Sequence, residues 1–178
     1  MADKNPAQAL NIIQRIEMLG QFIENPAITK AVAQAVPVSM PREVGALGFD
    51  TPLWVGLGIV GLWSALDAYY ERADLTATEC ATCHRRCIAE RFADYCEDDQ
   101  QKTLGELEDL RHLYAHNYAG EADEKYFDAK HPRHVLRRNG VILTCGAQFD
   151  GRRAQLTLHH LRVYSRTAKN MLERAASD

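Results

Sequence analysis

The chain has 178 residues, 46% of them hydrophobic and 25% charged, with a formal net charge of −3. That length buries most of the unfolded apolar surface in one domain without metal or disulfide support, and the composition is that of a globular chain, neither disordered nor fibrous. Charge is uneven along the chain: residues 1–129 carry 11 Lys+Arg against 21 Asp+Glu, a net −10, and residues 130–178 carry 10 against 3, a net +7. Such asymmetry permits contact with a polyanion despite the acidic total, and a solvated basic surface fits it equally well.

Taken in chain order, MADKNPAQALNIIQ lacks the basic start, apolar run and small-residue cleavage site of a secretory signal, which predicts a cytoplasmic protein. Asn5-Pro6 pairs a favoured N-cap with a proline that suits the first helical position, and Leu10, Ile13 and Ile16, then Ile12, Leu19 and Ile23, recur at helical spacing. Asn25-Pro26 repeats that start before Ile28, Val32 and Val36, so a second, shorter helix is expected up to Pro37. Pro37, Pro41, Gly45 and Gly48 then mark a loop.

The run Pro52 to Leu66 (PLWVGLGIVGLWSAL) is fifteen uncharged residues, short of the roughly 20 that cross a bilayer. It predicts a buried core helix, running to about Arg72, and no membrane partner. Gly56, Gly58 and Gly61 weaken that helix, so they are expected to permit close approach by a neighbour. Two Thr-x-x-Glu capping boxes, Thr76 with Glu79 and Thr103 with Glu106, predict helices over about 77–97 and 104–118, with Gly120 as the stop of the second. HVLRR-NG-VILTC and AQF-DG-RRAQLTL place turn dipeptides between strand-like runs, which predicts a small β-hairpin or meander. From about Thr157 the helical period returns through Leu161, Ala168, Met171, Leu172 and Ala175.

Cys80, Cys83, Cys87 and Cys96 fall on one predicted helix, and Cys80-Ala-Thr-Cys83-His84 has the form of a covalent haem attachment sequence. Haem attachment of that kind needs export, which the amino terminus does not support. Cys80, Cys83, His84 and Cys87 together could hold a zinc ion, although four ligands on consecutive turns of one helix rarely close a tetrahedron. A metal- or haem-carrying bundle is thus the weaker alternative. The preferred reading is reduced thiols packed as small apolar groups, with no cofactor.

The stretch LRHLYAHNYAG, residues 110–120, concentrates chemistry. Arg111 and His116, five apart on a helix, lie about 140° around and 7.5 Å along from one another, so they do not share a face. Arg111 and Tyr118 return to one stripe, as do His112 and His116. A centre that uses both Arg111 and His116 needs the helix end to loosen, or a second copy of the helix. The pair suits phosphodiester cleavage in RNA. An imidazole titrates near neutrality and can take a proton from a 2′-hydroxyl or give one to a leaving oxygen. A guanidinium stays charged and forks onto phosphate oxygens as negative charge grows. Asn117 and Tyr118 add a neutral donor and a phenol.

RHLYAHNY resembles the RxxxxHxY signature of HEPN-domain proteins, an all-helical superfamily rich in RNase toxins and defence effectors. The preceding helix, ending ALDAYYERAD, is similar to the family's paired helix, and the likeness covers about residues 50–120 plus the final helix. The resemblance implies a mainly α, up-and-down helical bundle as a single HEPN-like domain over 1–178, with a small β-hairpin inserted before the C-terminal helix. Its parts would be N-terminal helices and loop (1–50), core helices with the motif (51–120), loop and hairpin (121–156) and the C-terminal helix (157–178).

The resemblance further implies a metal-independent endoribonuclease, a toxin or antiviral effector, that dimerises so that two motif helices share one cleft. Arg111 and His116 map onto the catalytic positions, with Asn117, Tyr118, His112 and Asp67 in support. In systems with a nucleotidyltransferase antitoxin the motif tyrosine is modified, which points to Tyr118. A HEPN module that binds without cleaving is the alternative. KHPRHVLRR, residues 130–138, supplies Lys130, Arg133, Arg137 and Arg138 as candidate RNA-binding residues, extended by Arg152, Arg153, Arg162 and Arg166. Pairing of these arginines with the acidic run 121–128 is the other expectation.

Overall fold

The computed structural model describes residues 4–25, 27, 31, 51–75, 87–116, 148–150 and 153–177. They form a mainly helical bundle of four long helices, α1 (Ala7–Ile23), α2 (Thr51–Ala73), α4 (Asp98–His116) and α5 (Leu158–Ser177), with one short helix, α3 (Ile88–Arg91), packed at the side. No helix among the described residues is long and apolar enough to cross a membrane.

Local chemistry sets the helix ends. Asn5 Oδ1 accepts the Ala7 amide at 3.0 Å, and Pro6, already in the right-handed helical region, accepts from Leu10 at 2.9 Å. Proline at this point forfeits only an amide that has no helical partner anyway. Asn25 makes the same contact to Ala27 at 3.0 Å; apart from Ala27 and Ala31, both helical, the second expected helix lies outside the described residues. α2 ends where Asp74 turns left-handed at φ 51°, letting the Leu75 amide reach back to the Tyr70 carbonyl at 3.5 Å. That is the closing bond of a Schellman cap, made by a residue type that tolerates the conformation.

The stretch 87–97 corrects the expectation of one helix over 77–97. Cys87 is extended, α3 lasts a single turn, a 3-10 turn covers Ala93–Tyr95, and Cys96 is extended again. Residues 76–86, including the Thr76 box, lie outside the described residues. The Thr103 box is also corrected. α4 begins at Asp98, where Asp98 and Asp99 face the positive end of the helix dipole and Gln100 Oε1 accepts the Glu97 amide at 3.1 Å. Thr103 is interior to the helix, its hydroxyl donating back to the Asp99 carbonyl at 2.8 Å. Glu106 is only 3% exposed and accepts the Tyr164 hydroxyl at 2.5 Å.

α2 is the central element. Val55, Ile59, Leu62, Leu66, Tyr69 and Ala73 recur at steps of three and four and are all buried. α1 runs antiparallel to it, with the Tyr69 hydroxyl donating to the Lys4 carbonyl at 3.1 Å near one end and Ile16 against Gly58 toward the other. α4 is antiparallel to α2 on another side, since Gly56 meets Tyr114 while Trp63 meets Glu108. α5 is antiparallel to both α1 and α4: Arg162 pairs with Glu24 at 2.5 Å and Lys169 with Glu17, while Tyr164 meets Glu106 and Arg174 meets Glu97 at 2.9 Å. The bundle is therefore up-and-down in chain order.

Before α5 two three-residue strands, β1 (Gln148–Asp150) and β2 (Arg153–Gln155), pair antiparallel with Phe149 opposite Ala154. The Asn139-Gly140 turn lies outside the described residues. Thr157 opens α5 by donating its amide to Nδ1 of His160 at 2.9 Å.

Candidate functional site

The motif helix α4 buries Leu104, Leu107, Leu110 and Leu113 against α2 and the rest of the core. Glu108 and Arg111, three apart, flank that stripe together, and both meet Trp63 of α2. The Trp63 indole N–H donates to Glu108 Oε2 at 2.7 Å. The same oxygen accepts the Ile88 amide at the start of α3 at 3.1 Å. The Arg111 guanidinium carbon lies 4.0 Å above the centre of the Trp63 ring.

Arg111 is half-buried, and its Nε is buried without a hydrogen-bond partner among the described residues. No carboxylate among them lies within ion-pair distance of it. Two turns further along α2 the same pairing recurs with a different outcome. Arg91 lies 4.8 Å over Tyr70, yet its charge is matched by Asp67, with Glu71 at 4.0 Å. Of these two cations laid on aromatic faces, Arg91 is neutralised by α2 itself and Arg111 is not. A guanidinium in the second condition retains the capacity to fork onto an anion.

Asp67, expected beside the motif, is thus engaged by Arg91; the α2 residue that meets Arg111 is Trp63, one turn earlier. His112 is half-buried. Asp109, which falls next to the motif in sequence, is buried. The backbone of α4 continues unbroken to His116, whose side chain lies outside the described portion. Asn117, Tyr118, Lys130, Arg133, Arg137 and Arg138 lie outside the described residues, as do Cys80, Cys83 and His84. Arg162, counted with the basic segment, pairs with Glu24 of α1; the acidic run 121–128 lies outside the described residues.

Cys87 and Cys96 are half-buried thiols, not disulfides. Burial pushes the Cys96 thiol up from 9.0 to about 11, against a downward pull from Arg174. Such a group is a poor nucleophile near neutrality. Among the described residues no three His, Cys, Asp or Glu converge as a metal-binding group.

Trp63 and Glu108 are the members of this cluster that sequence reasoning passes over. A faint signal was present: Glu108 precedes Arg111 by one helical turn, and Trp63 precedes Tyr70, the other stacking aromatic, by seven residues. Fold and site together define a helical bundle that lays an arginine near the end of one helix on a tryptophan ring, with no carboxylate among the described residues in ion-pair distance. Comparison with family models, curated proteins and solved structures gives no match to this chain.

Proposed function

We propose that this protein is a metal-independent endoribonuclease of the HEPN type, acting as a toxin or antiviral defence effector and working as a homodimer. One observation carries the reading: Arg111, the motif arginine, lies on an aromatic face with no carboxylate among the described residues within ion-pair distance. Partly buried arginines without a counter-ion are costly. A phosphate supplies the missing charge.

The reaction follows from the groups. Neutral His116 takes the proton of a ribose 2′-hydroxyl as its oxygen attacks the adjacent phosphorus. Arg111 donates to the phosphoryl oxygens as their charge grows. The bond from phosphorus to the 5′-oxygen breaks, and that oxygen takes a proton from an imidazolium, leaving a 2′,3′-cyclic phosphate and a free 5′-hydroxyl. Asn117, Tyr118 and His112 would hold the flanking groups, and Lys130, Arg133, Arg137 and Arg138 would follow the RNA backbone. Tyr118 is the position for control: a nucleotidyl group added there by a cognate antitoxin would set negative charge where substrate phosphate must lie.

Helix geometry supports the homodimer. α4 is regular from Asp98 to His116, so the positions of Arg111 and His116 stay about 140° apart around its axis. A second copy brings one subunit's imidazole to the other's guanidinium.

The decisive experiment incubates purified protein with RNA in excess chelator. Cleavage is expected, and His116→Ala and Arg111→Ala should each abolish it without lowering Tm. Intact RNA that is nevertheless retained by the protein would replace this reading with that of a non-cleaving binding module.

A further inference from the structure

We propose that Trp63 is a positioning residue for the phosphate contact: its indole face holds the Arg111 guanidinium in the orientation that receives a phosphodiester. The inference rests on the nuclease reading and adds to it a residue outside the RxxxxHxY motif, on a different helix.

Three observations carry it. The guanidinium lies 4.0 Å over the ring, close enough for cation–π attraction to fix its plane. Its Nε is buried and has no hydrogen-bond partner among the described residues, which leaves the two terminal nitrogens as the donors for an incoming anion. They form the edge that meets two phosphate oxygens in a fork. The ring is itself restrained, because its N–H is spent on Glu108, and that same carboxylate oxygen also takes the Ile88 amide. Glu108 therefore anchors the platform instead of pairing with Arg111 one turn along. An arginine left to rotate would lose part of its advantage to the entropy of re-ordering at each turnover.

Arg91 shows the contrast. It lies on Tyr70 in a similar way, but Asp67 takes up its charge, and that pair joins α3 to α2. The aromatic platform serves packing there and recognition at Arg111; the difference is the carboxylate.

The chain contains two tryptophans, Trp54 and Trp63, so Trp54→Phe leaves Trp63 as the sole indole reporter. In that protein a single-stranded oligodeoxyribonucleotide, which lacks the 2′-hydroxyl and cannot be cut by this route, should shift Trp63 emission saturably. Adding Arg111→Ala should remove the response. In cleavage assays Trp63→Leu should lower kcat about five- to thirtyfold with KM nearly unchanged, the span of a cation–π contact from exposed to desolvated. Trp63→Phe, which keeps a ring face, should stay within about threefold of wild type.

Cleavage by Trp63→Leu at the wild-type rate, with Arg111→Ala inactive, overturns the positioning role and leaves the nuclease reading standing. Equal losses in Trp63→Phe and Trp63→Leu also overturn it, since indole packing would then be the cause. Folded wild-type protein that neither binds the oligonucleotide nor cuts RNA overturns both. If Trp63→Leu fails to fold, the emission response in the Trp54→Phe protein decides.

Discussion

Arg91 and Arg111 show that a residue's chemistry is set by what lies within a few ångströms of it, more than by its type. Both rest on aromatic rings of α2, and among the described residues only the first meets a carboxylate. Cys96 makes the same point for reactivity. Its thiol sits partly buried at the end of the 3-10 turn, where removal from water raises its pKa to about 11 against the influence of Arg174. At pH 8 its thiolate fraction is roughly a hundredfold below that of a thiol of ordinary pKa, so iodoacetamide should label it correspondingly slowly in the native state and at the normal rate in urea. The sign of the linkage is fixed as well. A folded pKa above the unfolded one gives stability that is fully present below pH 9.0 and drains away as pH climbs toward about 11. Melting profiles of wild type and Cys96→Ala should therefore run parallel below pH 9 and converge above it. Profiles that stay parallel to pH 11 would show that the thiol is not protected by burial.

At the scale of elements, the contact between α2 and α4 carries the site, and it depends on a missing side chain. A Cβ built on Gly56 would lie 2.0 Å from Cδ1 of Tyr114, in a region with no room for a methyl group. Gly56→Ala gains helix propensity but forces the ring or the helix away, for a net loss of about 1–2 kcal/mol and a fall in Tm of roughly 2–8 °C. α4 and α5 are joined by a polar contact inside the core, Tyr164 to Glu106. Tyr164→Phe removes a donor from a buried carboxylate and should cost about 1.5–3 kcal/mol, measured by urea denaturation, with Glu106→Gln in the same background recovering part of it. α1 and α5 were legible in the sequence because each carries a clear apolar stripe and, for α1, a capping asparagine; α2 was legible as one long uncharged run. The start of α4 was not, because Thr103-x-x-Glu106 has the form of a cap while both residues lie inside a longer helix, where Glu106 is drawn into the core by a tyrosine 58 positions away. Arg111 could be singled out from its neighbours in the chain. Trp63 could not: a tryptophan in an apolar run reads as core, and its contact with Glu108 spans 45 residues that only the helix crossing brings together.

For the whole molecule, the proposed nuclease must join Arg111 and His116, whose positions lie on different sides of one helix. The four long helices are mutually braced. α5 spends Arg162, Lys169 and Arg174 on Glu24, Glu17 and Glu97, and α4 stays regular through its last described turn. Bringing Arg111 and His116 together within one chain would mean unwinding α4 beside the packed Leu110 and Leu113, both fully buried. Association of two copies meets the same need with the helix intact, and a two-fold arrangement makes the two resulting sites equivalent. This has a consequence that a self-contained site does not share. Arg111→Ala and His116→Ala should each be inactive alone, yet after unfolding and refolding together about half the dimers would be mixed, each with one intact site of two, restoring about a quarter of wild-type cleavage. Sedimentation of each variant as a dimer would show that association is retained. No recovery from mixed dimers would mean that each subunit carries its own complete site, and a monomeric, active wild type would remove the shared cleft altogether.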